Sequence, residues 1–348
     1  MYEQASRSAS LLEVGSLTTV APIGGAYHPV VDHVSFSVRA GERVGIVGES
    51  GSGKSMLARS ILRLQDASCR VRTGSVMFDG QDILALEPHA LRRVRGGQIA
   101  MIFQEPMASL NPVVTVGEQV GETLRLHESM NRRQARKRTV ELFDEVGLPD
   151  PPQRLSQYPF QMSGGMLQRV MIAQAIAAKP SLLIADEPTT ALDVTTQAQI
   201  LDLLRSLSVE YDMSVIIISH DFGVIADVAD RVLVMYAGRI VERGYVDDVL
   251  TRPVHPYTEK LLESTPRLGD FEQEFARVSG TIPPPNRLPR GCAFHPRCER
   301  VMDHCRDHVP PEISIETARK AACWLWDDDV AGPRVDVAVS GPGEDPHE

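Results

Sequence analysis

Residues 44–64, VGIVGESGSGKSMLARSILRL, join an apolar run, a glycine-rich turn and a stretch of helical spacing without a break. The run VGIV reads as a buried strand, and Leu57, Ile61, Leu62 and Leu64 recur at intervals that give the following stretch one apolar face. Between them Gly48 to Ser55 spell GESGSGKS, which matches GxxxxGK[ST]. Gly48, Gly51 and Gly53, with Ser50 and Ser52 among them, let backbone N–H groups curl around phosphate oxygens, and the helix N-terminus adds the positive end of its dipole. Lys54 is placed to reach the outer phosphates and Ser55 to offer its hydroxyl to Mg2+. The stretch predicts a bound nucleoside triphosphate.

Further along, Leu182 to Pro188 (LLIADEP) put Asp186 and Glu187 at the end of a second apolar run. One carboxylate there can hold magnesium and the next can face an attacking water. The runs Leu182 to Ala185 and Val215 to Ile218 bracket a segment in which Ile200, Leu203, Leu204 and Leu207 mark an amphipathic helix. Strand, helix, strand predicts a parallel sheet with helices on its faces, an α/β fold. Before the turn, LLEV, VSFSV and RVGIVG predict a small sheet feeding the buried strand. Residues from about 104 to 178 read as a helical insertion, broken at Asn111-Pro112, Pro149 to Pro152 and Tyr158-Pro159. From Thr251 the composition shifts to Pro, Arg, His and Cys, which predicts a main domain over 1–250, a small appended domain over 251–326 and a disordered acidic tail over 327–348.

Bulk properties narrow the function. The formal net charge of −10 speaks against a nucleic-acid binder that works by bulk electrostatics. The basic cluster Asn131 to Arg138 sits in a helix-favouring stretch and reads as a solvated helix face. No basic segment followed by an apolar run opens the chain, and no 18 apolar residues run uninterrupted, so the expectation is a protein neither exported nor membrane-spanning. Its five cysteines are then expected to stay reduced. Cys69 reads as a small apolar filler. Cys292, Cys298, Cys305 and Cys323 are separated by five, six and seventeen residues, which fits neither a paired CxxC zinc ribbon nor a ferredoxin run. Four converging thiolates could bind zinc or an iron–sulfur cluster, or could remain buried free thiols.

A third element, SGGM at Ser163 to Met166, precedes a helix and lies shortly before the Asp-Glu run. With it the sequence resembles the ABC ATPase family, a P-loop cassette with a RecA-like core, an antiparallel β subdomain and a helical subdomain. The resemblance implies ATP and Mg2+ as ligands, with Ser55, Gln104 and Asp186 around the metal. It also implies Glu187 polarising the attacking water, His220 contacting the γ-phosphate and Asp193 communicating across a dimer of cassettes. Ser163, Gly164 and Gly165 would meet ATP held by the opposing cassette. Two departures stand out: Met166 replaces a usual Gln, and the position of the aromatic that stacks on adenine falls on Ala21, with Tyr27 as the substitute candidate.

Within that family, FQEPMASLNP (Phe103 to Pro112), RPVHPYTEKLLES (Arg252 to Ser264) and GCAFHPRC (Gly291 to Cys298) are similar to the oligopeptide/dipeptide permease ATPases. That resemblance implies a [4Fe–4S] cluster on Cys292, Cys298, Cys305 and Cys323. It further implies two transmembrane permease subunits, a second cassette that is more often a paralogue than a copy, an extracytoplasmic substrate-binding protein, and a place on the cytoplasmic face of the cell membrane. Peptides are the expected cargo. Nickel, glutathione or oligosaccharide import, or a soluble ABC ATPase without a transporter, are the alternatives.

Overall fold

The computed structural model describes residues 10–264 and 280–331. β1 (Ser10–Ile23) and β2 (Ala26–Arg39) form a long antiparallel hairpin. β3 (Arg43–Val47) then runs into the core and ends at the glycine-rich turn, followed by the helix Lys54–Ile61. β4 (Arg70–Phe78) and β5 (Gln81–Asp82) return to the hairpin and complete a four-stranded sheet in the order β2-β1-β4-β5. The remaining strands are β6 (Ile99–Ile102), β7 (Leu182–Asp186), β8 (Ser214–Ser219), β9 (Arg231–Tyr236), β10 (Arg239–Tyr245), β11 (Ile313–Glu316) and β12 (Arg319–Ala321). With β3 they make an eight-stranded sheet in the order β11-β12-β10-β9-β3-β8-β7-β6. Its central part, β9-β3-β8-β7-β6, is parallel.

Every residue of β7 and β8 is buried, as expected for strands covered on both faces. Their side chains alternate between two cores. Leu182, Ile184, Ile216 and Ile218 pack toward the four-stranded sheet with Leu12, Ile46 and Leu57. Leu183, Ala185, Val215 and Ile217 pack on the other side with Leu204 and the helical insertion. That period of two fixes which face each strand-end residue presents. The insertion consists chiefly of the helices Val116–His127, Arg132–Glu145 and Gly164–Ile176. The basic cluster lies at the start of the second of these, where Asn131 caps the helix and Arg138 pairs with Glu145 at 2.6 Å.

The C-terminal segment is not a separate body. β12 extends the main sheet at β10, pairing Ala321 with Glu242 and Lys320 with Arg243. The fully buried Glu242 carboxylate accepts the N–H groups of Val254 at 3.0 Å and His255 at 2.9 Å and faces Arg319 at 3.4 Å. Phe294 stacks edge-on against Tyr236 at 5.3 Å and against Tyr257 at 5.4 Å. Asp328–Ala331, where the sequence predicts the start of a disordered tail, is a short helix; the rest of that tail lies outside the described residues. Among the described residues no helix is long and apolar enough to cross a membrane.

Phe294 is 1% exposed and joins the C-terminal segment to the cassette core. Phe294→Ala is expected to destabilise the protein by about 3–5 kcal/mol. Urea unfolding checks this, and a loss below about 1 kcal/mol would mean that the aromatic cluster contributes little to the junction.

Candidate active site

Four parallel strands deliver their C-terminal ends to one edge, the place where open α/β sheets bind ligands. β3 leads into GESGSGKS, β6 ends two residues before Gln104, β7 ends on Asp186 with Glu187 next, and His220 follows β8. Ser52 N–H bonds Glu49 O at 3.1 Å to curl the loop. Gly53 caps the helix at φ 102°, and a Cβ there would lie 2.5 Å from Val30 O, so the position requires glycine.

Lys54 is only 4% exposed, and its Nζ donates to Gly48 O at 2.6 Å and Glu49 O at 3.0 Å. Burial lowers its pKa, against the opposing pull of Glu187, Asp186 and Glu49. Asp186 is fully buried; its Oδ1 accepts the Ser55 hydroxyl at 2.9 Å while Oδ2 has no partner. Desolvation lifts this carboxyl above its usual range. An orphaned anionic oxygen beside a hydroxyl suits a hard cation that takes oxygen ligands, so these residues fit Mg2+.

Glu187 adopts φ 48°. Its Oε2 accepts Gln104 Nε2 at 2.9 Å and the Thr190 hydroxyl at 2.9 Å, and Oε1 lies 3.6 Å from His220 Nδ1. The His220 imidazole and the Thr190 hydroxyl hold the Glu187 carboxyl below its usual range, with partial burial working against them. Glu187 in turn raises the His220 pKa. Lys54, Ser55, Gln104 and Glu187, with Ser50, Gly51 and Gly53 of the loop, line a single cavity of about 290 Å³.

The other predicted residues lie elsewhere. Ser163 caps the helix Gly164–Ile176, its Oγ accepting Met166 N–H at 3.4 Å, and neither it nor the two glycines lines the cavity. Asp193 caps the helix Val194–Glu210 and accepts both the N–H and the hydroxyl of Thr196, at 2.9 and 2.7 Å. A Cβ on Gly165 would stand 2.8 Å from Thr196 Cγ2, so the two helix starts adjoin on one exposed surface. Tyr27 does not line the cavity; its ring carries the Arg70 guanidinium 3.8 Å from the centroid.

Cys292, Cys298, Cys305 and Cys323 do converge on one small cavity, with about 10 Å³ of free space. Burial pushes the Cys323 thiol up to about 12 and the Cys292 thiol up to about 11. The donor set is right in kind, but the space holds about one water. Among the described residues no three His, Cys, Asp or Glu side chains are placed to hold a metal ion. The expected [4Fe–4S] site is therefore not formed in this arrangement.

Two further residues touch the phosphate loop. Tyr257 OH accepts Glu49 N–H at 2.8 Å, and Arg297 donates to Glu49 Oε2 at 3.1 Å. They lie 208 and 248 positions further along the chain, within RPVHPYTEKLLES and GCAFHPRC, but neither stretch discloses its contact with this loop.

The His220–Glu187 contact has a pH signature. Because the folded His220 pKa is raised, its stabilisation is fully present below the ordinary imidazole value and is lost as pH rises through the folded value. Because the Glu187 pKa is lowered, its contribution is present above the ordinary carboxylate value and is lost as pH falls through the folded one. An NMR titration of the ligand-free protein should give His220 a midpoint above 6.5, moving down in Glu187→Gln. An unmoved midpoint would disprove the coupling.

The profile of the ABC transporter family matches residues 31–190, and that of the oligopeptide/dipeptide transporter C-terminal region matches residues 241–305. A Brucella abortus chain called a peptide import ATP-binding protein is 49% identical over 319 residues, covering 91% of this chain and 95% of that one. The oligopeptide transport ATP-binding protein AppD of Bacillus subtilis is 44% identical over 324 residues, covering 93% and 99%. Among solved structures, the dimeric post-hydrolysis state of the ATP-binding cassette MJ0796 bound to ADP and Pi has a TM-score of 0.62 at 29% identity, covering 68% of this chain and 98% of that one.

Proposed function

The chain belongs to the ABC transporter family, in its oligopeptide/dipeptide branch, and from that premise we propose that it is the ATP-hydrolysing motor of a peptide importer. The observation that carries the reading is the strand-end constellation itself. A buried lysine, a serine hydroxyl and a glutamate line one cavity, and the Asp186 carboxylate with its orphaned oxygen accepts that serine's hydroxyl.

In this reading Lys54 exchanges its loop carbonyls for the β and γ phosphate oxygens of ATP, and the loop N–H groups with the helix N-terminus hold the remaining charge. Ser55, Asp186 and Gln104 hold Mg2+, which when bound neutralises charge on the phosphates. Glu187, its carboxyl kept ionised, orients the attacking water and accepts its proton, while His220 turns toward the γ-phosphate. Catalysis is then positioning and charge stabilisation. Ser163, Gly164 and Gly165 serve the site of a second cassette, which accounts for their exposed place outside this chain's own cavity, and Asp193 beside them faces the same junction.

The relatives' names support membrane permease partners and a substrate-binding protein, and the paralogous second cassette is our addition. Two transmembrane permease subunits, a second cassette that is a paralogue of this one, and an extracytoplasmic binding protein complete the importer, with this chain at the cytoplasmic face of the membrane. Peptides are the cargo favoured by the relatives' names over nickel, glutathione or oligosaccharide. In the assembled complex Glu187→Gln should retain bound ATP while turnover falls about 10²–10⁴-fold and peptide uptake stops with it. Full turnover in that variant would overturn the assignment.

The four thiols carry a second, separate reading. We propose that Cys292, Cys298, Cys305 and Cys323 take a [4Fe–4S] cluster after opening their cavity, a reading supported by their convergence on one place. The cluster would supply a cross-link to a segment with little core of its own. Protein purified without oxygen should hold about four iron and four sulfide per chain; zinc alone, or no metal, would refute it.

A further inference from the structure

We propose that the segment Pro283–Leu288 forms the wall on which the purine base of the nucleotide rests, an inference that builds on the ATPase reading of the same cavity. The cavity is lined by two chemically different sets of residues. Lys54, Ser55, Gln104 and Glu187 supply charged and polar groups. Pro29, Val30, Pro283, Pro285 and Leu288 supply an apolar set without a charged side chain among them. ATP is divided in the same way, with a charged triphosphate at one end and a flat, weakly solvated base at the other. Once the loop holds the phosphates, the apolar part of the lining is the surface that suits the base.

The segment is built to face inward. Pro283, Pro285 and Leu288 are half-buried against the cavity, while Pro284, Asn286 and Arg287 are exposed. It is held in place from two sides. Asn286 Nδ2 lies 3.9 Å from where a Cβ on Gly24 would stand, which seats it on the β1–β2 turn. Arg297, which holds Glu49 of the phosphate loop, also donates to Gly280 O at 3.3 Å and ties the segment's start to that loop. Proline has little conformational freedom to lose when a base settles on it, so the wall is pre-organised. Neither of the hairpin positions from which an aromatic was expected supplies this surface, since Ala21 and Tyr27 do not line the cavity.

A proline surface also has a chemical consequence. Pro283 and Pro285 lack an N–H and cannot donate to the edge of a base, so this wall supplies contact area with little discrimination between adenine and guanine.

The test uses the full chain and two probes, ATP and inorganic triphosphate, each bound with magnesium at equilibrium. In P283G/P285G and in Leu288→Ser the ATP Kd should rise on the order of tenfold, as for exposure of one apolar face, with the GTP Kd rising in parallel. The triphosphate Kd should stay as in the unaltered chain, and Leu288→Met should keep ATP affinity. Equal losses for ATP and triphosphate would overturn the proposal, because the segment would then only support the loop. Unchanged ATP binding in both variants would overturn it as well. An unaltered chain that bound neither probe would instead sink the ATPase reading beneath it.

Discussion

The level, parallel alignment of β3, β6, β7 and β8 is the constraint on which the site depends. Val47 sits opposite Ser219, Asp186 opposite Ile218 and Ala185 opposite Ile102, so four strands finish at nearly the same height. Each then releases its functional residues at that height: the phosphate loop, Gln104, the carboxylate pair and His220. A one-residue slip of β7 would exchange Leu183 and Ala185 for Leu182 and Ile184 between two different cores. It would also carry Asp186 away from Ser55. Core packing therefore holds the chemistry in register, and the catalytic geometry inherits its precision from apolar alternation several residues away.

In the ligand-free chain every charge at this edge has provisional company or none. Lys54 leans on two carbonyls of its own loop, Glu187 is shared among Gln104, Thr190 and His220, and Asp186 keeps one buried oxygen without a partner. Such groups carry a desolvation penalty that a triphosphate and its metal can relieve. Because the partners are already oriented, little rearrangement is needed when charge arrives. Glu187 adds backbone strain of roughly 1–2 kcal/mol through its left-handed conformation. Its N–H bonded to Ile218 O at 2.9 Å keeps it there, and the strain aims the carboxylate along the sheet edge.

What the sequence disclosed, and what it hid, divide by the range of the interactions. GESGSGKS, Asp186 and Glu187 are readable because each adjoins an apolar run, and a buried strand is a local signal, whereas His220 is reached only through the family resemblance. The Ile200–Leu207 face was readable for the same reason, and the helix Val194–Glu210 buries Ile200, Leu204 and Leu207. The pairing of Gln104 with Glu187 spans 83 residues, and no spacing rule foretells it. β11 and β12 have only four and three residues, too few for an alternating pattern, so the appended domain read from composition turned out to be an extension of the main sheet. Glu242, in the middle of β10, is a fully buried acceptor for the segment that follows, and no local signal marks it. The four cysteines line one small cavity, and spacing carries no information about how far apart their sulfurs stand.

A second polar surface lies outside the chain's own cavity. The helix Gly164–Ile176 begins on an exposed Ser163, and the only side-chain cap at that end is a long 3.4 Å contact to one N–H. The remaining first-turn N–H groups have no partner inside their own helix, so they keep the positive potential of the terminus directed outward. Two glycines there leave the backbone uncovered, and Asp193 stands alongside. This surface contributes nothing to the chain's own cavity. A helix start that is bare, positive and glycine-lined suits an anion brought to it from outside, which is the place the proposed function gives the triphosphate of a second cassette. The C-terminal segment makes the matching restraint on the loop side: Tyr257 and Arg297 fasten Glu49 from behind, so a phosphate gripped in front meets a loop that cannot recoil.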